Sequence, residues 1–310
     1  MRALVVSNMR PDRAHPGRGS FVRDQVAALR ALGGAEVEQY EFPPGRRALA
    51  AAAVELRRRY AGSRFDVVHA HFGLSAWPAL AVSARVRALT MHGTDLADPR
   101  TRLATRAVLG VIDLPAAVSE PLAEQIPGRA ARRAEVLPCG VDTDRFRPLE
   151  RREARARLGL DPATPFLLFG ADPARPEKRH ALAAELAGAA RVELRTLGSV
   201  EPAQVPLWVN AANAVLVPSA REGFGLAVLE ALACDVPVLA TPVGIHPQAL
   251  AGVDGALCAP FELGVWLKAL EPSLAGERRV AGREAAERFS ARTMAERVLA
   301  AWERALARAG

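Results

Sequence analysis

Short apolar runs alternate with longer segments of helical period, and this alternation most narrowly limits what the chain can fold into. RALVVSN, at 2–8, leads into SFVRDQVAALRALG, where Phe21, Val22, Val26, Leu29 and Leu32 recur at helical spacing and Gly33 and Gly34 make the stop. DVVHAHF, VRALTMHG and LPAAVSE read as further strands, each entering a loop at its carboxyl end. That order is the signature of βαβ units and a parallel sheet with helices on both faces.

The pattern then starts again. After a charged, proline-containing passage come PFLLFGAD, VELRTLG, NAVLVPS and DVPVLATP, with helical segments expected at about 178–190, 226–233 and 262–270. A length of 310 residues suits two domains, since single cores stop growing near ~250 to 300 residues. The expectation is an α/β protein of two doubly wound, Rossmann-like units joined near 146–160, with a ligand in the cleft between them. The tail, about 275–308, is helical by pattern, with Val298, Leu299, Trp302 and Leu306 on one face.

Half the residues are apolar and 24% are charged, the balance of a globular chain. No apolar run approaches the ~18 residues of a membrane span, and MRALVVSNMRP is too short for a signal peptide. Cys139, Cys234 and Cys258 stand far apart, which suggests neither a zinc site nor a disulfide framework, and a cytoplasmic location is expected. The net charge is +7, and of 41 basic residues only Lys178 and Lys268 are lysines. The arginines cluster at 46–47, 57–59, 129–133 and 145–157 and read first as solvated side chains, with peripheral contact to an anionic membrane as the alternative. A nucleic-acid partner is not expected, because aromatics are 5% of the chain and do not interleave with the basic runs.

The most informative passage is PSAREGFGLAVLEALACDVPVLA. A strand ends at Pro218, a loop carries Glu222-Gly223-Phe224-Gly225, and a helix starts near Leu226. Glycines let the backbone approach a ligand, and the free N–H groups of a helix start favour an anion. Two acids beside a phosphate are better used to accept hydrogen bonds from hydroxyls. Glu222 and Glu230 around such a start therefore describe a sugar, a diphosphate and a ribose laid in a row.

These residues resemble the donor-binding motif of the retaining glycosyltransferases of family 4, which have the GT-B architecture of two Rossmann-like domains. The resemblance extends over GSFVRDQVAALRALG, VVHAHF, TMHGTDL, AAVSEPLAEQI, LPCGVDTDRFRP and ERFSARTMAERVLAAWERAL. It implies an acceptor-side domain at 1–148, closed by a C-terminal helix at about 293–310 that crosses back to it, and a donor-binding domain at 149–292. It also implies a glycosyltransferase that moves a sugar from a nucleotide-diphosphate donor to a sugar, lipid-linked or small-molecule acceptor, by front-face displacement and without metal or cofactor. Carried onto this sequence, it gives Glu222 the donor sugar's hydroxyls, Glu230 the ribose, and the backbone of Phe224, Gly225 and Leu226 the sugar and diphosphate. Arg175 and Lys178 would meet the diphosphate charge, His92 the reacting sugar, and Gly17 and Gly19 the phosphates. Glu222, His92 and Lys178 are thus the expected catalytic residues. The chain departs from the pattern at Ala171, where the family has arginine after the glycine of its first donor-side strand, and at Asn213, Cys139 and Gln248.

Other chemistries fare worse. His69 and His71 share a strand face, but no third ligand stands at metal spacing. His15, His180 and His246 read as structural or exposed. There is no G-x-S-x-G nucleophile elbow, and GRGSF lacks the Gly-Lys-Ser/Thr ending of a P-loop. The rivals are a nucleotide-sugar epimerase of the same architecture, which lacks the EGFGL run, and a non-catalytic nucleotide-sugar-binding protein.

Overall fold

A computed structural model describes residues 1–198, 200–276 and 278–310. The chain divides into two units: Met1–Asp12 with Arg18–Gly140 and Ala291–Gly310, and Arg13–Gly17 with Val141–Ser290. The first division falls at Gly140 rather than at 148 because Val141 already belongs to the second unit. Its N–H donates to the Phe289 carbonyl at 2.9 Å and it bridges Ser290.

The first unit holds a six-stranded parallel sheet in the order β2-β1-β3-β4-β5-β6. Its strands are β1 (Arg2–Ser7), β2 (Glu36–Glu41), β3 (Arg64–His71), β4 (Ser83–Met91), β5 (Leu114–Ala117) and β6 (Glu135–Val136). β2 escapes the sequence pattern. As an edge strand paired only with β1, it keeps Glu36, Glu38 and Glu41 on its open sides and buries only Val37 and Tyr40. One face of the sheet packs on the helices Ser20–Leu32 and Ala291–Ala309 through Val22, Val26, Leu29, Val298 and Trp302, all essentially unexposed. The expected helix over 275–308 is instead Arg283–Glu287 followed by Ala291–Ala309, broken where Phe289 and Ser290 turn to meet Val141.

The second unit has a five-stranded parallel sheet, β11-β10-β9-β7-β8. It consists of β7 (Phe166–Phe169), β8 (Glu193–Thr196), β9 (Ala214–Val217), β10 (Val238–Ala240) and the short β11 (Leu257–Cys258). Phe169, Leu186, Leu216, Leu239 and the fully buried Trp266 form its core.

Two of the arginines at 145–157 overturn the expectation of solvated side chains, while Arg147, Arg152 and Arg157 are exposed as expected. Arg151 and Arg155 are only 3% exposed. Arg151 donates to the carbonyls of Ala212, Gly276 and Arg278, and Arg155 to those of Ala211 and Pro162 and to Asn213 Oδ1 at 2.7 Å. The departure at Asn213 has its reason here. Its Oδ1 also accepts from Phe166 N–H at 3.1 Å while its Nδ2 donates to the Ser273 carbonyl at 2.9 Å, a donor that an aspartate lacks.

Replacing Arg155 with methionine roughly keeps the volume and removes the donor from two buried acceptors, the Ala211 carbonyl and Asn213 Oδ1, and from the part-buried Pro162 carbonyl. Denaturant unfolding is expected to show a loss of about 3 kcal/mol or more. A loss below about 1 kcal/mol would mean that the arginine is dispensable to the fold.

Candidate active site

In the second unit β7 and β9 are neighbours with helices departing to opposite sides, so the loops after them leave the sheet side by side. The loop after β7 ends in a single 3-10 turn, Pro176–Lys178, rather than the helix expected from 178; the helix begins at His180. Arg179, in the left-handed region at φ 54, donates to the carbonyls of Pro218 and Ser219, and Ala220 N–H donates to the Glu177 carbonyl at 2.8 Å. These bonds fasten the two loops together.

The fastening brings Lys178 to Glu222. The Lys178 ammonium donates to both carboxylate oxygens, at 2.6 and 2.7 Å, and the Ser219 hydroxyl donates to Oε1 at 2.7 Å. Their side chains are 12% and 8% exposed. A carboxylate offers about four lone-pair sites, so with three in use one acceptor site on Glu222 is left for a hydroxyl.

The next loop residues present backbone. Gly225, at φ 114, precedes the helix Leu226–Ala233, and no side chain caps that helix start. A Cβ on Gly225 would lie 2.4 Å from His246 Nε2. His246 is wholly buried; its Nδ1–H donates to the Thr241 carbonyl at 2.8 Å, which leaves Nε2 as a bare lone pair against the glycine. Burial lowers its pKa. His246 is thus structural rather than exposed, and only the fold shows it backing the EGFG turn. Phe224 is buried, its ring 6.3 Å from that of Phe289 and its carbonyl accepting from Ile245 N–H. Glu230 stands at the fifth position of the helix, half-buried. Arg175 is not drawn into this cluster. Its guanidinium donates to Glu177 at 3.0 and 2.6 Å and its side chain is 52% exposed.

The first unit holds the remaining expected residues. Gly19, at φ 71, precedes the helix Ser20–Leu32, and a Cβ there would meet the Met9 carbonyl oxygen at 2.5 Å. Gly17 falls in the second unit's residues and has open space around it. His92 follows β4, with its ring 4.9 Å from Phe21 and 4.6 Å from Phe72, and its Nε2 meets His71 Nδ1 at 2.9 Å. The buried Asp95 carboxylate accepts from the N–H groups of His92 and Gly73. His71 stacks on His69 at 4.7 Å. Trp302 Nε1–H donates to His69 Nδ1 at 3.1 Å, which puts the proton of the neutral ring on Nε2, facing Thr90 Oγ1 at 2.7 Å. His69 and His71 are therefore parts of a packed polar chain. Among the described residues no group of three or more His, Cys, Asp or Glu could hold a metal ion.

The family model described as Glycosyltransferase Family 4 matches residues 5–145, and that described as Glycosyl transferases group 1 matches residues 152–274. A D-inositol 3-phosphate glycosyltransferase of Actinosynnema mirum is 32% identical over 294 residues, covering 76% of this chain and 70% of the relative. That of Pseudarthrobacter chlorophenolicus is 28% identical over 319 residues, 86% and 75% of the two chains. Among solved structures, sucrose-phosphate synthase from Thermosynechococcus elongatus superposes with a TM-score of 0.75 at 18% identity over 99% of both chains. Anabaena HepE in complex with UDP and glucose gives 0.70 at 17% identity, over 97% and 99%. The fold is GT-B.

The histidine chain carries a pH dependence. Burial lowers His69 to about 3 and holds His71 well below its ordinary value. The unfolded chain takes up protons near pH 6.5 that the folded chain refuses, so stability falls as pH drops below about 6.5 and continues to fall toward about 3. At pH 5 His69 and His92, both held to about 3 by burial, lower stability by about 4 kcal/mol relative to pH 7, and His71 acts in the same direction. Unfolding curves at pH 7, 6 and 5 measure this, and equal stabilities would contradict the neutral, buried assignment.

Proposed function

The chain belongs to the family 4 glycosyltransferases, glycosyl transferases group 1, and from that premise we propose that it transfers a sugar with retention from a nucleotide-diphosphate donor to an acceptor hydroxyl. The observation that carries this reading is the Lys178–Glu222 pair beside the uncapped helix start after Gly225. It places a cation, free backbone donors and one spare carboxylate acceptor together, the set that a diphosphate joined to a sugar requires.

In this reading Glu222 accepts from a hydroxyl of the donor sugar, Glu230 from the ribose, and the amides of Phe224, Gly225 and Leu226 face the diphosphate. Lys178 stabilises the charge that develops on the leaving phosphate, with Arg175 joining it on release from Glu177. His92 meets the reacting sugar, its ring held by His71 Nδ1 and by Phe21 and Phe72. Gly17 and Gly19 pass close to the phosphates. The acceptor attacks from the face that the diphosphate leaves, and the departing phosphate oxygen takes its proton. Catalysis is then positioning plus electrostatic stabilisation, with no metal and no cofactor beyond the co-substrate. The HepE structures hold UDP and UDP-glucose, and the inositol-phosphate relatives are named for a small phosphorylated acceptor, so these head the panels of donors and acceptors to test.

Transfer is assayed with UDP-, GDP- and ADP-sugars and the product anomer read by NMR. An inverted product, or activity abolished by EDTA and restored by magnesium, would overturn the mechanism. Donor turnover to an epimer without transfer would favour the epimerase reading.

Within the site, Glu222→Gln is expected to weaken transfer while leaving free nucleotide binding nearly intact, and Glu230→Gln to weaken both; equal calorimetric losses would contradict the two roles. Lys178→Ala is expected to lose about 2 kcal/mol or more of transition-state stabilisation, about thirtyfold in kcat/KM, with partial recovery in Lys178→Arg. Lys268→Ala serves as the unaffected control.

A further inference from the structure

The helices Arg46–Arg59, Gly73–Ala79 and Pro99–Val108 all follow crossovers that run the same way along the sheet, from β2 to β3, β4 and β5. Right-handed connection therefore stacks them on one face of the first unit, and they lie side by side with Gly73–Ala79 in the middle. Four of the five exposed large apolar side chains of the described residues stand on or directly beside these helices: Val54 at 71%, Trp77 at 43%, Leu103 at 73%, and Val111 just past the third helix at 54%. Around them the helices carry eight arginines and a single acid, Glu55, whose carboxylate accepts from the Tyr40 hydroxyl. The three helices thus hold a net +7, equal to that of the whole 310-residue chain; the remainder sums to zero.

The spacing interleaves the two kinds of side chain. Val54 has Arg47 seven residues before it and Arg57 and Arg58 three and four after, and Leu103 lies midway between Arg100 and Arg106, so charge and apolar tip share a stripe on each helix. Trp77, on the helix between them, adjoins the second stripe, its indole N–H donating to the Ala104 carbonyl at 3.2 Å. None of the eight arginines makes an ion pair among the described residues. On the opposite face Arg292, Arg304 and Arg308 are paired with acids, while Arg297 and Arg30 make no ion pair among the described residues.

We propose that this face of the first unit is a docking surface for an anionic lipid bilayer. Unpaired guanidinium groups seek phosphate headgroups, their stems lie along apolar surface, and a tryptophan with neighbouring aliphatic tips reaches the boundary between headgroups and acyl chains. Among the described residues no helix is long and apolar enough to cross a membrane, so the contact is one of lying on the surface. A nucleic-acid partner fits less well, because Trp77 is the one aromatic in the three helices and offers no stacking platform. The surface is independent of the transfer reaction.

Co-sedimentation of the full chain with vesicles of phosphatidylcholine alone and of phosphatidylcholine with 30% phosphatidylglycerol tests this. Binding is expected only to the anionic vesicles and to weaken with salt. The variant Arg57→Glu/Arg58→Glu/Arg102→Glu is expected to bind at least about tenfold more weakly. The charge-matched control Lys268→Glu/Arg288→Glu/Arg297→Glu, whose residues are exposed elsewhere, is expected to change it by less than about twofold. Leu103→Ser is expected to lower affinity severalfold at unchanged salt dependence, which a purely electrostatic contact would not show. Melting temperatures confirm that each variant is folded. No binding to anionic vesicles at about 0.1 M salt would overturn the proposal, as would equal losses in the two triple variants, which would reduce it to net charge. Tighter binding to duplex DNA with the same variant dependence, or a solution dimer that only the first triple variant dissociates, would assign the face to nucleic acid or to a second copy of the chain.

Discussion

Right-handed connection of parallel strands is the constraint on which the other features rest. In the second unit the chain leaves β7 toward one side and reaches β9 on the other, which sets the Lys178 and Glu222 loops next to each other with no contact in sequence to foretell it. In the first unit the same rule sends Arg46–Arg59, Gly73–Ala79 and Pro99–Val108 to one face and leaves the other to Ser20–Leu32 and the C-terminal helix. The candidate catalytic pair and the basic, apolar-tipped face both follow from where crossovers must go.

Arginine performs three different physical tasks in this nearly lysine-free chain. Arg151 and Arg155 cross-link buried carbonyl groups, Arg179 fastens two loops through the carbonyls of Pro218 and Ser219, and the arginines of the helices Arg46–Arg59 and Pro99–Val108 project outward. A planar group with five donors reaches several carbonyls at once, which a single ammonium does less well. Lys178 stands apart because it meets one carboxylate as a compact charge in a narrow place.

The strands with continuous apolar runs were legible in the sequence, because burial on both faces leaves no room for polar residues, and so was the EGFGL loop, because glycine and acid at that spacing serve few purposes. β2 was not, since an edge strand tolerates glutamates on its open sides. Nor was the break before Ala291, where backbone bonding to Val141 competes with a pattern that favours helix throughout. Asn213 looked like a departure from a motif until its amide was seen bonded to Ser273 and its oxygen to Arg155.

The sequence by itself determined the two-unit α/β architecture, the family, and the identity of the residues at the EGFGL loop, because these depend on local periodicity and on residue types a few positions apart. Tertiary structure alone decided which of those residues meet. It paired Lys178 with Glu222 and Arg175 with Glu177, set His246 behind Gly225, and joined Trp302 to His69 across 233 positions. Contacts of that kind are chosen by strand order and packing, which bring together side chains whose spacing along the chain carries no trace of their neighbourhood.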